Sequence, residues 1–272
     1  MSRAPRFLLS TAVACLLLSG AAGLVYQIVW MRYLALFLGH TSYAIIAVLV
    51  SFMGGLALGN AWFGARADRT AHPLALYAWL EIGIGVFALV FPFYYEGIHR
   101  AYLAAAAHLA PGGLPAFGLK FSCSLLTILL PTTLMGGTLP VMTRLVTRSL
   151  GELRERVANL YFVNSAGAVA GCFLADFWWI PALGLESTVL AGAALNLGAG
   201  LLALMMHLHL AGSWQTRTEE APEASTDERY TAPEWRLAVI GAGVSGFVAM
   251  LYEVVWTRML ALSLGSSTHA FS

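Results

Sequence analysis

Three carboxylates stand inside apolar runs of this chain: Glu81, Asp176 and Glu253. A charge in hydrocarbon is costly, so an acid kept there points by default to a proton relay, a cation path or a buried pair. Asn164 adds an amide to another apolar run, and Pro131 interrupts a further one. Proline removes a backbone donor, and a helix broken at mid-depth exposes carbonyls to a substrate or ion. Glu81, Glu253, Asn164, Pro131 and Asp176 are therefore the candidate lining of a substrate or ion pathway. The plainer role for each is a kink or an interhelical hydrogen bond, and Asp176 is placed to sit at the outer interface.

Other chemistry is missing from the chain's pattern. There is no nucleophile elbow, HExxH pair, P-loop or paired catalytic carboxylate, so no catalytic residue is assigned. Residues 241–246, GAGVSG, imitate a dinucleotide turn. That fingerprint needs a βαβ unit and an acid about 20 residues on, and neither follows. Cys15, Cys123 and Cys172 each stand alone, and His207 and His209 are too close to share a helix face. Neither a metal nor a cofactor is expected. With a net charge of +1 the chain offers no bulk basic surface to nucleic acid.

The elements that must hold these residues are membrane helices. Hydrophobic residues make up 59% of the chain and charged ones 11%, against roughly 25% charged in a soluble domain. The apolar runs predict helices over about 7–30, 42–63, 74–95, 117–141, 157–180 and 187–210. Residues 31–38 read as a short interfacial segment and 99–116 as a turn-rich loop. Gly55 with Gly59, and Gly167 with Gly171, have the GxxxG spacing that lets helices approach closely. The acidic stretch around 211–234, rich in Ser, Thr and Pro, reads as a flexible connector.

One stretch occurs twice. Residues 19–45 match residues 245–271 without a gap, with 12 identities in 27 positions, among them Tyr26 and Tyr252, Trp30 and Trp256, and Arg32 and Arg258; Gln27 faces Glu253 in the alignment. The offset of 226 is too long for a solenoid repeat and suits half of a membrane protein built from parallel repeats. The start of the chain has the outline of a signal peptide, yet its counterpart is internal, so a retained helix is expected.

Residues 1–212 thus read as a six-helix repeat, 213–234 as a cytoplasmic linker and 235–272 as the start of a second repeat. The fold class expected is all-α, with about seven transmembrane helices. Placing the N-terminus in the cytoplasm puts eleven Lys and Arg residues inside and four outside. Arg32 and Arg258 fall outside, where they are expected to snorkel.

The segments SGAAGLVYQIVWMRYLALFLGHTSYA, GLALGNAWFGARADR, LLPTTLMGGTLPVMTRLV and the run from YFVNSAGAVAG to NLGAGLLAL resemble the membrane region of the bacterial fused major-facilitator-like/spermidine synthase proteins. GARADR, at 64–69, also resembles the loop between helices two and three of major facilitator transporters. The resemblance implies the six-helix half of a major-facilitator-like parallel repeat, in a bacterial inner membrane with lipid as its surroundings. It also implies a soluble aminopropyltransferase domain of Rossmann type as partner, none of which lies within these residues. A transporter half moving a small cation such as a polyamine is the alternative reading.

Overall fold

The computed structural model describes residues 3–38, 42–109, 113–146, 150–214 and 232–264. All of them are helix or short turn, with no strand among them. The chain divides into two units, Met1–Ser213 and Trp214–Ser272. Unit one contains α1 (Arg3–Leu38), α2 (Ser42–Arg69), α3 (Pro73–Ala106), α4 (Leu114–Val146), α5 (Leu150–Leu174), a π-helical turn (Ala175–Trp179) and α6 (Ile180–Trp214). Unit two contains α7 (Ala232–Leu264), and GAGVSG is a helical part of it. Both copies of the repeated stretch are helical, over 19–38 and 245–264. Most of the linker, 215–231, lies outside the described residues.

Among the described residues six segments are long and apolar enough to cross a membrane: Leu8–Ala35, Ile46–Arg69, Pro73–Ala106, Leu114–Val146, Val157–Leu210 and Pro233–Trp256. The chain is a multi-pass membrane protein. The fifth segment has 54 residues, well beyond the roughly 20 that one crossing needs. It is broken at Gly184, whose φ of 78° and ψ of 175° lie outside the helical region. Glycine supplies that backbone without a steric penalty. The Thr188 hydroxyl donates to the Gly184 carbonyl at 2.7 Å, fastening the first turn beyond the break.

Contacts between helices fix their directions. Leu17, Ala21 and Arg32 of α1 meet Gly167, Gly171 and Asp176, so α5 runs parallel to α1. Cys15 and Tyr26 meet Ala199 and Gly192, so α6 returns antiparallel. Gly55, Gly59 and Gly64 meet Thr132, Gly136 and Pro140, so α2 and α4 are parallel. Tyr94 donates to the Leu126 carbonyl at 2.7 Å while Gly83 faces Leu134, which sets α4 antiparallel to α3. Within unit one, α1, α3 and α5 run one way, and α2, α4 and α6 the other.

The joints are made by small residues. A side chain at Gly59 would fall on the Thr133 carbonyl, and one at Gly136 on Leu56. Gly167 and Gly171 stand against Leu17 and Ala21 in the same way, and Gly20 against Asn164. Such contacts bring backbones together where lipid gives apolar side chains no reason to leave it. Cys15, Leu16, Tyr77, Met142, Leu160 and Met206 fill a core shared by α1, α3, α4, α5 and α6.

Several expectations change. Residues 31–38 continue α1 rather than forming a separate short segment, and Trp30 is buried, stacked on Tyr26 and Phe91 at 4.9 and 5.3 Å. Helix α3 passes through Pro92 to Ala106, shortening the loop expected at 99–116. GARADR forms the last turns of α2 rather than a loop, with Asp68 facing Arg144 at 3.8 Å. Helix α5 starts at Leu150, ahead of the start expected near residue 157.

Gly59→Val and Gly136→Val are expected to lower the unfolding temperature in detergent, because overpacking a fitted joint costs about 1–3 kcal/mol. Gly23→Ala, where the added carbon meets nothing within 4 Å, is expected not to lower it. Equal losses in all three variants would mean that the joints do not set stability.

Candidate functional site

Glu81 lies on the face of α3 that meets both α1 and α6, and its side chain is completely buried. Asn196 of α6, also buried, donates from Nδ2 to Glu81 Oε2 at 2.5 Å. The close approach that permits this is made by Gly85 against Leu197 and Ala193, and by Gly200 against Ala78 and Ile82. One turn before the acid on α3 stands Tyr77, and from α1 come Ser19 and Tyr26. The Ser19 and Tyr77 hydroxyls lie beside the carboxyl. Cys15 completes the α1 side, its thiol donating to the Ala199 carbonyl at 3.5 Å.

This cluster carries a carboxyl without a cation. The ion pairs among the described residues are Arg32 with Asp176, Arg100 with Glu96 and Arg144 with Asp68, and none involves Glu81. Glu81 Oε1, Asn196 Oδ1, Tyr77 Oη and Tyr26 Oη are buried and make no hydrogen bond of strict geometry, with the Ser19 and Tyr77 hydroxyls beside the carboxyl. Buried polar groups are nearly always satisfied, so an acid with three such oxygens about it is the candidate site.

A second polar joint lies further along α1. The Arg32 guanidinium donates to Asp176 Oδ1, which is completely buried, while the Arg32 side chain is 21% exposed. The pair gives both residues a partner that the sequence reading had not assigned them. Asp176 is carried by the π-helical turn Ala175–Trp179, and such turns change which way the following side chains face. The Arg258 side chain, the other expected snorkeler, lies outside the described residues.

The remaining candidates occupy other places. Pro131 is buried in α4, and the helix runs unbroken from Leu114 to Val146. The expected interruption is therefore absent. Proline deprives the carbonyl one turn back of its donor, and threonines dress the neighbouring turn. Thr132 donates to the Ile128 carbonyl and Thr133 to the Leu129 carbonyl, each at 2.7 Å. Asn164 packs on Gly20 at the crossing of α5 and α1. Glu253 stands on α7, in the second unit.

Asn196, Tyr77, Ser19 and Tyr26 were not among the candidate pathway residues, although Tyr26 is one of the identities of the repeated stretch. A lone amide in the apolar run 187–210 was the available signal for Asn196. Among the described residues no three of His, Cys, Asp and Glu stand together to hold a metal, and His207 makes an edge contact with His72 at 5.3 Å. No family model matches the chain, and no curated protein or solved structure is significantly similar to it.

Arg32→Ala takes the guanidinium from a fully buried carboxylate and is expected to destabilise by about 3–5 kcal/mol. Arg32→Leu combined with Asp176→Leu is expected to recover much of that loss. Thermal unfolding in detergent measures both, and a single variant as stable as the wild type would remove the pair from the structural account.

Proposed function

We propose that this chain is the membrane domain of a spermidine-synthase-like protein, anchoring or serving a cytoplasmic aminopropyltransferase. What supports the reading is where the resembling segments pack. GLALGNAWFGARADR of α2 lies on LLPTTLMGGTLP of α4, through Gly55 on Thr132, Gly59 on Thr133 and Phe63 on Gly137. SGAAG of α1 lies on YFVNSAGAVAG of α5, through Gly20 on Asn164 and Ala21 on Gly171. The likeness therefore concerns the joints of the bundle, which apolar composition alone would not reproduce.

On this reading the six alternating helices of unit one are one half of a major-facilitator-like parallel repeat in a bacterial inner membrane. The N-terminus faces the cytoplasm, and α7 is the first helix of the next half and the seventh crossing. A second reading is favoured by the cation-free burial of Glu81: the bundle is a transporter half for a small cationic solute such as a polyamine. An acid that only glued helices would gain by having a cationic partner.

Membranes carrying the full open reading frame are to be assayed for aminopropyl transfer from decarboxylated S-adenosylmethionine to putrescine, and for polyamine uptake into vesicles. Transfer without uptake is the expected result. Uptake that Glu81→Gln abolishes, with no transfer, would replace the first reading by the second.

A further inference from the structure

We propose that Glu81 is a proton-binding site, with the proton carried on Oε1, clamped at Oε2 by Asn196 and faced by a ring of hydroxyls. Its use in coupling rests on the transport reading; its chemistry rests only on the burial of the site. An ionised carboxylate at mid-membrane costs about 3 kcal/mol on insertion scales and far more for a bare charge. Hydrogen-bond donors such as the Asn196 amide offset part of that cost, and three further means are open to a buried acid: a cationic partner, a bound metal ion or a proton. No Arg, Lys or His pairs with Glu81 among the described residues, and no metal-binding group of three stands around it.

The groups that face the carboxyl are neutral on every side. Helix α1 contributes Cys15, Ser19 and Tyr26, α3 contributes Tyr77, and α6 contributes Asn196. A neutral acid makes use of that surround. Its O–H on Oε1 needs one acceptor, and a hydroxyl can accept while donating elsewhere. The amide on Oε2 serves either state of the acid, because a carboxyl oxygen accepts in both. Uptake and release are balanced by water alone: the carboxylate takes a proton from hydronium and returns it to water, with no other bond changed.

The size of the site argues for the proton over a polyamine. Glu81, Tyr26 and Tyr77 are completely buried and Asn196 is 1% exposed. Gly192 already presses on the Tyr26 ring, and Gly85 on Leu197. An organic cation would have to part these helices.

The test is infrared difference spectroscopy on the full chain in lipid nanodiscs, stepped from mildly acidic to mildly alkaline pH. The wild type is expected to show a protonated-carboxyl C=O band that disappears in Glu81→Gln, remains in the surface variant Glu96→Gln, and changes frequency in Asn196→Leu. The Asn196 variant carries the test should Glu81→Gln fail to fold. A band that survives in Glu81→Gln, or a wild type with no such band across the range, overturns the proposal. A band that is present and assigned to Glu81 in a protein that transports nothing would uphold the proton site and refute the transport reading.

Discussion

A helix in hydrocarbon gains nothing by hiding a leucine from lipid, so this bundle depends on how closely its backbones can approach. Gly55, Gly59, Gly136, Gly167 and Gly171 provide that approach, and the polar contacts follow from it. The Asn196 amide reaches Glu81 because Gly85 and Gly200 leave no side chain between α3 and α6. A short, directional bond in the interior is thus a consequence of missing carbons elsewhere. Small residues bring the helices together, and polar residues then set their register.

Much of this was legible in the sequence, for a physical reason. Apolar length and GxxxG spacing are local properties, so the helices and the glycine faces of α2 and α5 could be read without a fold, whereas the helices those faces meet could not. Helix ends were less legible. Pro131 read as a break, yet a membrane helix tolerates proline where neighbouring hydroxyls dress the exposed turn, as Thr132 and Thr133 do. The pairing of Arg32 with Asp176 spans 144 residues, and the π turn that presents Asp176 leaves no mark in hydrophobic periodicity. Glu81 stood out by its charge, whereas Asn196 needed the crossing of α3 and α6 to acquire meaning.

Helix α1 links the two polar joints. Ser19 and Arg32 are 13 residues apart, which is about 20 Å along a helix, a large part of the roughly 30 Å of hydrocarbon. Between them stands an aromatic ladder: Tyr26 on Trp30, Trp30 on Phe91, Phe91 on Tyr33 and Tyr33 on Tyr95, with ring centres 4.9–5.4 Å apart. The Tyr95 hydroxyl donates to the Tyr33 carbonyl at 2.7 Å, tying α3 to α1 at that level. The ladder is rigid packing that carries no charge.

The two joints solve the cost of a buried charge differently. Arg32 and Asp176 neutralise each other, and that solution is geometric: separating them breaks an ion pair at a buried carboxylate. The pair therefore holds α1 to the π turn in one register. Glu81 has no cationic partner in these pairs, and its one strict hydrogen bond, to Asn196, is to a neutral group. A change in the spacing of α3 and α6 would break its bond to Asn196 without leaving a counter-charge behind.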